Sequence, residues 1–190
     1  MASDLSSSIL AVVYSDGLAA DRMIADVAYR LRDDGIAVAG LVQTNTAVSG
    51  RAKCDMAVEE LHSRTVIPLS EYRGPSASGC RLDYTRLADA AGLLDEALKE
   101  TPDLVVLNKF GKIEAEGGGL RDVLGRIVLL EIPLIVGVPY RNLDQWRKFA
   151  DGLADECQLS TPDILRWVAA RGFAVTRTDG SPSAGDNLRP

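Results

Sequence analysis

The segment Asn108 to Arg121, NKFGKIEAEGGGLR, concentrates more reactive chemistry than any other part of this chain: Asn108, Lys109, Lys112, Glu114, Glu116 and Arg121. Lys109 and Lys112 lie three apart across Gly111, which permits a tight turn, and Arg121 follows a triple glycine. Cations in the first turn of a helix oppose its dipole at a cost of about 0.3–1 kcal/mol each, which an anion held between them would offset. In the competing reading, Glu114 and Glu116 pair with the lysines as exposed ion pairs worth about 0–1 kcal/mol. A second group comes from residues 74 to 83, GPSASGCRLD. Permissive backbone, the hydroxyls of Ser76 and Ser78, the amides around Gly79 and Cys80, and the Arg81 guanidinium are the materials of an oxyanion cradle. An ordinary surface loop has the same composition, and Cys80 reads as a small packed residue in preference to a thiol activated by Arg81.

A third loop, SDGLAAD at Ser15 to Asp21, follows the first apolar run, where a phosphate-cradling GxxxxGK[ST] would stand. It has one glycine, no lysine and no placed Ser or Thr, while Asp16 and Asp21 repel phosphate. It reads either as a plain strand-to-helix turn or as a remnant whose helix amides still face an anion. In a phosphate-handling ATPase the strand before Asn108 would end in an acid that holds Mg²⁺. Here it ends in Asn108 and Lys109, so Mg²⁺ is not expected. One histidine, His62, at a turn gives no support for a nucleophilic triad. Cys54, Cys80 and Cys157 are too far apart for a zinc pair or a disulfide framework.

The elements that must position these loops alternate. Ile9 to Tyr14 is a short apolar run that predicts a buried strand. Met23, Ile24, Val27, Ala28 and Leu31 recur at three and four and predict a helix from about Leu18 to Asp34, ended by Gly35. Ile36 to Val42 predicts the second strand. Asp55 to Leu61 and Thr65 to Leu69 predict a hairpin around His62-Ser63-Arg64, with Pro68 on an edge. Residues 71 to 82 read as loop, and 83 to 100 as helix. Leu104 to Asn108 reads as a buried strand, Leu120 to Leu130 as helix and Ile132 to Val138 as strand. Two helices follow, from Asn142 to about Ala154 and from Thr161 to Ala170, the latter with Trp167 on it as Trp146 is on the former. Strands alternating with helices make a three-layer α/β fold with a mainly parallel sheet and a small antiparallel excursion. Residues 1–8 are expected to be flexible, 9–176 to form a single domain, and 177–190 to be a disordered tail.

Composition bounds the function. The chain has 190 residues, 46% of them hydrophobic and 25% charged. A net charge of −6 and a pI near 4.8 argue against a nucleic-acid partner. No apolar run approaches membrane-spanning length, and the unpaired cysteines point to a reducing, cytoplasmic setting.

At these residues the chain resembles a bacterial family of unknown function, described as nucleoside-triphosphatase-like and associated with molybdate transport or molybdenum metabolism. The resemblance covers roughly Ile9 to Ala170. It rests on the first strand and helix, GLVQ (Gly40 to Gln43), SGCRLD (Ser78 to Asp83), LNKFGKIEAEGGGLR (Leu107 to Arg121) and PLIVGVP (Pro133 to Pro139). That family is similar to small P-loop triphosphatases whose corresponding strand reads like DLIVIDEIGKME. Asp103 to Val106 and Gly111-Lys112 agree with that pattern, while Asn108 and Lys109 replace its acids. The resemblance implies a P-loop NTPase-like fold without an intact P-loop, in molybdenum or tungsten handling. Losing one stabilising donor costs about 2.7–4 kcal/mol of barrier, so losing lysine, hydroxyl and both acids leaves little for hydrolysis.

The expected function is therefore non-catalytic binding of an anion: molybdate, tungstate or a nucleotide. The expected ligand residues are Ser76, Ser78, Gly79, Cys80, Arg81, Asn108, Lys109, Lys112, Glu114 and Arg121. The alternatives are a divergent nucleoside triphosphatase or kinase-like enzyme, with Glu114 or Glu116 replacing the lost acids, and a protein-interaction module. Expected partners are a small anionic ligand and either a second copy of the chain or a molybdate-transport component.

Overall fold

The computed structural model describes residues 7–46, 55–71 and 81–176. Its centre is a seven-stranded sheet, built from strands β1 (Ile9–Tyr14), β2 (Val38–Thr46), β3 (Asp55–Glu60), β4 (Thr65–Pro68), β7 (Leu104–Leu107), β8 (Leu134–Pro139) and β9 (Ala154–Gln158). Two short strands between them, β5 (Ser70–Glu71) and β6 (Arg81–Leu82), pair antiparallel on their own. Across the sheet the order is β4-β3-β2-β7-β8-β1-β9. From β2 to β9 every neighbouring pair is parallel, and β3 and β4 add the antiparallel excursion. Pro68 lies on the outermost strand, where its missing N–H breaks no ladder.

Alternating side chains of the central strands feed two cores, one on each face. Helices α1 (Gly17–Asp33) and α6 (Thr161–Ala169) cover one face, packing Ile24, Leu31 and Ile164 against Leu10, Val12 and Val106. Helices α2 (Tyr84–Lys99), α4 (Arg121–Leu129) and α5 (Leu143–Ala150) cover the other, with Leu94, Leu124 and Trp146 against Ala11, Val105 and Val136. A single turn, α3 (Lys112–Ala115), precedes α4. The strands β7 and β8 are buried along their whole length, which is why they read as continuous apolar runs.

Two expectations need correction. The helix expected from Asn142 to Ala154 stops at Ala150, where Asp151 turns left-handed at φ 46°, and the chain then forms β9 beside β1. ADECQ carries no apolar alternation because β9 is an edge strand with only two apolar residues, Ala154 and Cys157, both half-buried and three apart, so periodicity could not reveal it. The loop expected over residues 71 to 82 is bracketed at both ends by the β5–β6 pairing, two residues per strand and too short to leave a pattern. The Ser8 carbonyl accepts the Leu134 amide at 2.9 Å and so extends the β8 ladder. The expected tail at 177–190 lies outside the described residues, as do Cys54 and Cys80.

Gly137, in β8, holds the site end of the sheet together. A Cβ there would lie 2.1 Å from the Asn108 carbonyl oxygen and 2.7 Å from Ile24 Cδ1. The strand therefore passes closer to the chain after β7 than any side chain allows. Gly125, inside α4, has nothing within 4 Å of such an atom. Gly137→Ala is expected to destabilise the fold by about 1–3 kcal/mol through overpacking. Gly125→Ala is expected to stabilise it by about 0.5–1 kcal/mol. Urea unfolding of both variants checks the pair.

Alkaline pH should loosen the fold from inside. Burial, with Asp163 adding, pushes the Cys157 thiol from its ordinary 9.0 up to about 11. Burial and then the hydrogen bond to Glu59 push Tyr29 from 10.0 up to about 12. Tyr14 moves upward too, by burial first and by the Asp21 charge second. Each group is neutral when protonated and releases its proton more easily in the unfolded chain. Stability is therefore level in these groups below pH 9 and falls as pH rises from there towards 12. The melting temperature is expected to decline across that window, and Cys157→Ser to remove the portion between pH 9 and 11.

Candidate functional site

The carboxyl ends of β2 and β7 meet the start of α1 in a buried polar cluster. Asp21, in the second turn of α1, is 6% exposed and Asn108, just after β7, is 4% exposed. Asn108 Nδ2 donates to Asp21 Oδ1 at 2.8 Å, and Asn45 Nδ2 donates to Asp21 Oδ2 at 2.6 Å. Gln43 Nε2 donates to Asn45 Oδ1 at 2.8 Å and reaches Asp21 Oδ2 at 3.4 Å. Three amide groups thus converge on one carboxylate. Among the described residues, Asn108 keeps its own oxygen, Oδ1, buried and without a partner. Turning the amide over would set that oxygen against Asp21, so the hydrogen-bond network fixes its orientation.

Helix α1 does not present an open N-terminus. Only Ser15 and Asp16 separate β1 from α1, and the Asp16 carboxylate accepts the Leu18 and Ala19 amides at 3.0 and 3.1 Å. The seat where a phosphate would lie is filled by the chain's own acid. This settles the first loop as a capped turn.

The loop after β7 is pinned from several sides. Asn108 N–H donates to the Leu41 carbonyl, Phe110 N–H to the Gly137 carbonyl, and Asn142 Nδ2 to the Phe110 carbonyl. Phe110 is wholly buried, edge-on to Trp146 at 5.3 Å and stacked with Phe149 at 5.7 Å. Lys109 and Gly111 are held on either side of that anchor. Glu114 is 5% exposed, and its two oxygens accept the Gly111 amide at 2.9 Å and the Leu120 amide at 3.0 Å. Gly119, at φ +60°, makes room for it, since a Cβ there would lie 2.1 Å from Glu114 Oε1. Glu114 is a brace for its loop.

Beside this brace lies a cavity of about 210 Å³. Leu41, Val58, Leu69, Leu82, Leu87 and Leu120 supply most of its apolar wall. Gln43, Asn108, Lys109, Lys112 and Glu114 contribute its polar part. Lys109 is half-buried and has no ion-pair partner among the described residues. Lys112 is exposed, and its ammonium lies 3.6 Å from Glu116 in a pair that water screens. A second cavity of about 350 Å³ opens on the α1 side of the cluster, lined by Leu18, Asp21, Arg22, Ala25, Tyr29 and Asn45.

Of the expected ligand residues, Asn108, Lys109, Lys112 and Glu114 share one cavity. Leu82 and Leu87 line it too, so the described flank of the second loop reaches the third. Arg121 is directed elsewhere: its guanidinium lies 4.5 Å over the Phe149 ring and donates to the Glu114 carbonyl. Aromatic packing of α5 beneath α4 draws it out of the expected cluster. Ser76, Ser78, Gly79 and Cys80 lie outside the described residues, and of Arg81 only the backbone is described, paired in β6. Sequence reasoning did not assign Asp21, Gln43 or Asn45 to the site. One signal was available for Asp21, which continues the apolar stripe of Ile24, Ala28 and Leu31 and therefore had to be buried.

Comparison with known proteins places the fold. A solution structure of a human cancer-related nucleoside triphosphatase superposes with a TM-score of 0.60 at 18% identity, covering 87% of this chain and 98% of that one. The crystal structure of THEP1 from the hyperthermophile Aquifex aeolicus gives a TM-score of 0.62 at 14% identity, covering 83% and 97%. The α/β fold of this chain is the one those two structures share. Among curated proteins, the molybdenum import ATP-binding protein ModC 2 of Bradyrhizobium diazoefficiens is 32% identical over 159 residues, 84% of this chain. The chain spans only 18% of that relative's length. Among the described residues no helix is long and apolar enough to cross a membrane. A family described as protein of unknown function (DUF2478) matches residues 9–167, and this chain belongs to it.

Proposed function

We propose that this protein binds an anionic ligand without turning it over, at the cavity between β2, α2 and the loop after β7. The observation that carries the reading is the exchange of charge at the carboxyl end of the sheet. Lys109 and Lys112 border a preformed cavity, while the amides of α1 are occupied by Asp16. Both acids named for the enzyme alternative are engaged, Glu114 by two backbone amides and Glu116 by Lys112. A nucleotide, or an oxyanion such as molybdate or tungstate, is the ligand class. The 32% identity to a molybdenum import ATP-binding protein supports a place in molybdenum or tungsten handling, with a transport component as partner.

The likeness to nucleoside triphosphatase folds supports a second reading, a divergent hydrolase. Two measurements separate them. Titration calorimetry with ADP, phosphate, molybdate and tungstate is expected to detect binding of at least one. Lys109→Ala and Lys112→Ala are each expected to weaken that binding about tenfold, as loss of a hydrogen bond to a charged group implies. ATP and GTP with Mg²⁺ are expected to be hydrolysed no faster than in buffer. Turnover above that level, lost in the lysine variants, would make the protein an enzyme. Unchanged affinities in both variants would remove the site.

A further inference from the structure

We infer that the cavity receives an aromatic nitrogen heterocycle carrying a negative group, with the ring inside and the charge at Lys109 and Lys112. This deepens the proposed function and rests on it. The cavity of about 210 Å³ has room for roughly seven waters at their ~30 Å³ share of the liquid. That exceeds what one tetrahedral oxyanion fills and falls short of the ~300–1,000 Å³ that encloses a drug-sized ligand. A ring matches the space.

The walls decide what kind of body enters. Leu41, Val58, Leu69, Leu82, Leu87 and Leu120 offer a charged ion no compensation for lost hydration. Asn108 decides the rest. Among the described residues its Oδ1 is buried and unpartnered, on a side chain that lines the cavity, and its Nδ2 is committed to Asp21. The unmet demand is for a hydrogen-bond donor. A fully ionised oxyanion has only acceptors and would meet Asn108 oxygen to oxygen. A ring N–H or exocyclic amine supplies the missing donor, and the buried amide then discriminates strongly against ligands without one. Half-buried Lys109 and exposed Lys112 border the same cavity, where a phosphate or carboxylate on the ring would meet them.

Nucleotides and simpler heterocyclic acids share this chemistry, and the test distinguishes them. The full chain is titrated with GMP, AMP and UMP, with orotate, with nicotinate as an acid whose ring bears no N–H, and with ribose 5-phosphate, inorganic phosphate and molybdate as ringless or bare anions. At least one nucleotide, or orotate, is expected to bind about tenfold or more tightly than ribose 5-phosphate and phosphate, and orotate more tightly than nicotinate. A gain confined to orotate identifies a non-nucleotide acid, and a gain confined to the monophosphates a nucleotide. Leu87→Trp, which fills the cavity from half-buried α2, is expected to erase that margin while circular dichroism stays unchanged. Leu82→Phe provides a second filled cavity from a different element. Equal binding of all anions, indifferent to both filled variants but weakened by Lys109→Ala, overturns the ring pocket and leaves anion binding standing. Affinities unmoved by Lys109→Ala and Lys112→Ala, or no binding of any probe, overturn both.

Discussion

The hydrogen bond from Asn108 to Asp21 ties the two halves of this molecule together at the end of its sheet. Asp21 belongs to the helix on one face, and Asn108 begins the loop that crosses to the other. The bond is buried, and its carboxylate takes two further amide donors from the end of β2. A buried acid left unpartnered would cost several kcal/mol, so none of these side chains can be changed alone without exposing the others' needs. The close passage of Gly137 beneath Asn108 belongs to the same constraint, because it sets how near β7 and α1 come.

From this junction the site follows in a chain of physical dependencies. Phe110, sealed among Trp146 and Phe149, fixes the turn after Asn108. Glu114 then ties the two ends of the next ten residues by accepting the Gly111 and Leu120 amides. The cavity is bounded by groups that are already held, with Lys109 as its cation without a charged partner among the described residues. The fold is shared with a human nucleoside triphosphatase and with THEP1, and a shared fold does not fix what the strand ends do.

Most of the fold was legible because its central strands are apolar along their whole length and its helices carry stripes at three and four. β1, β7, β8, α1 and α2 all announce themselves this way. β9 did not, since an edge strand held by backbone pairing to β1 needs no apolar alternation of its own. The site was legible in part. Asn108, Lys109, Lys112 and Glu114 stand close in sequence and remain close in space. Arg121 is not among the residues that line this cavity, and the aromatic face that holds it, contributed from Phe149, lies 28 positions further along the chain. Gln43 and Asn45 stand two apart on β2, and they meet Asp21 only through the packing of α1 on the sheet, which no local pattern encodes.

The two-residue link between β1 and α1 carries a lasting consequence. Building a phosphate loop here would require lengthening the backbone, since the residues that wrap a phosphate have no room between Tyr14 and Gly17. Point substitutions of Asp16 would open four orphan amides at most, without the lysine that reaches over them. Backbone length, ahead of side-chain identity, is thus what shuts this corner of the sheet to a wrapped phosphate.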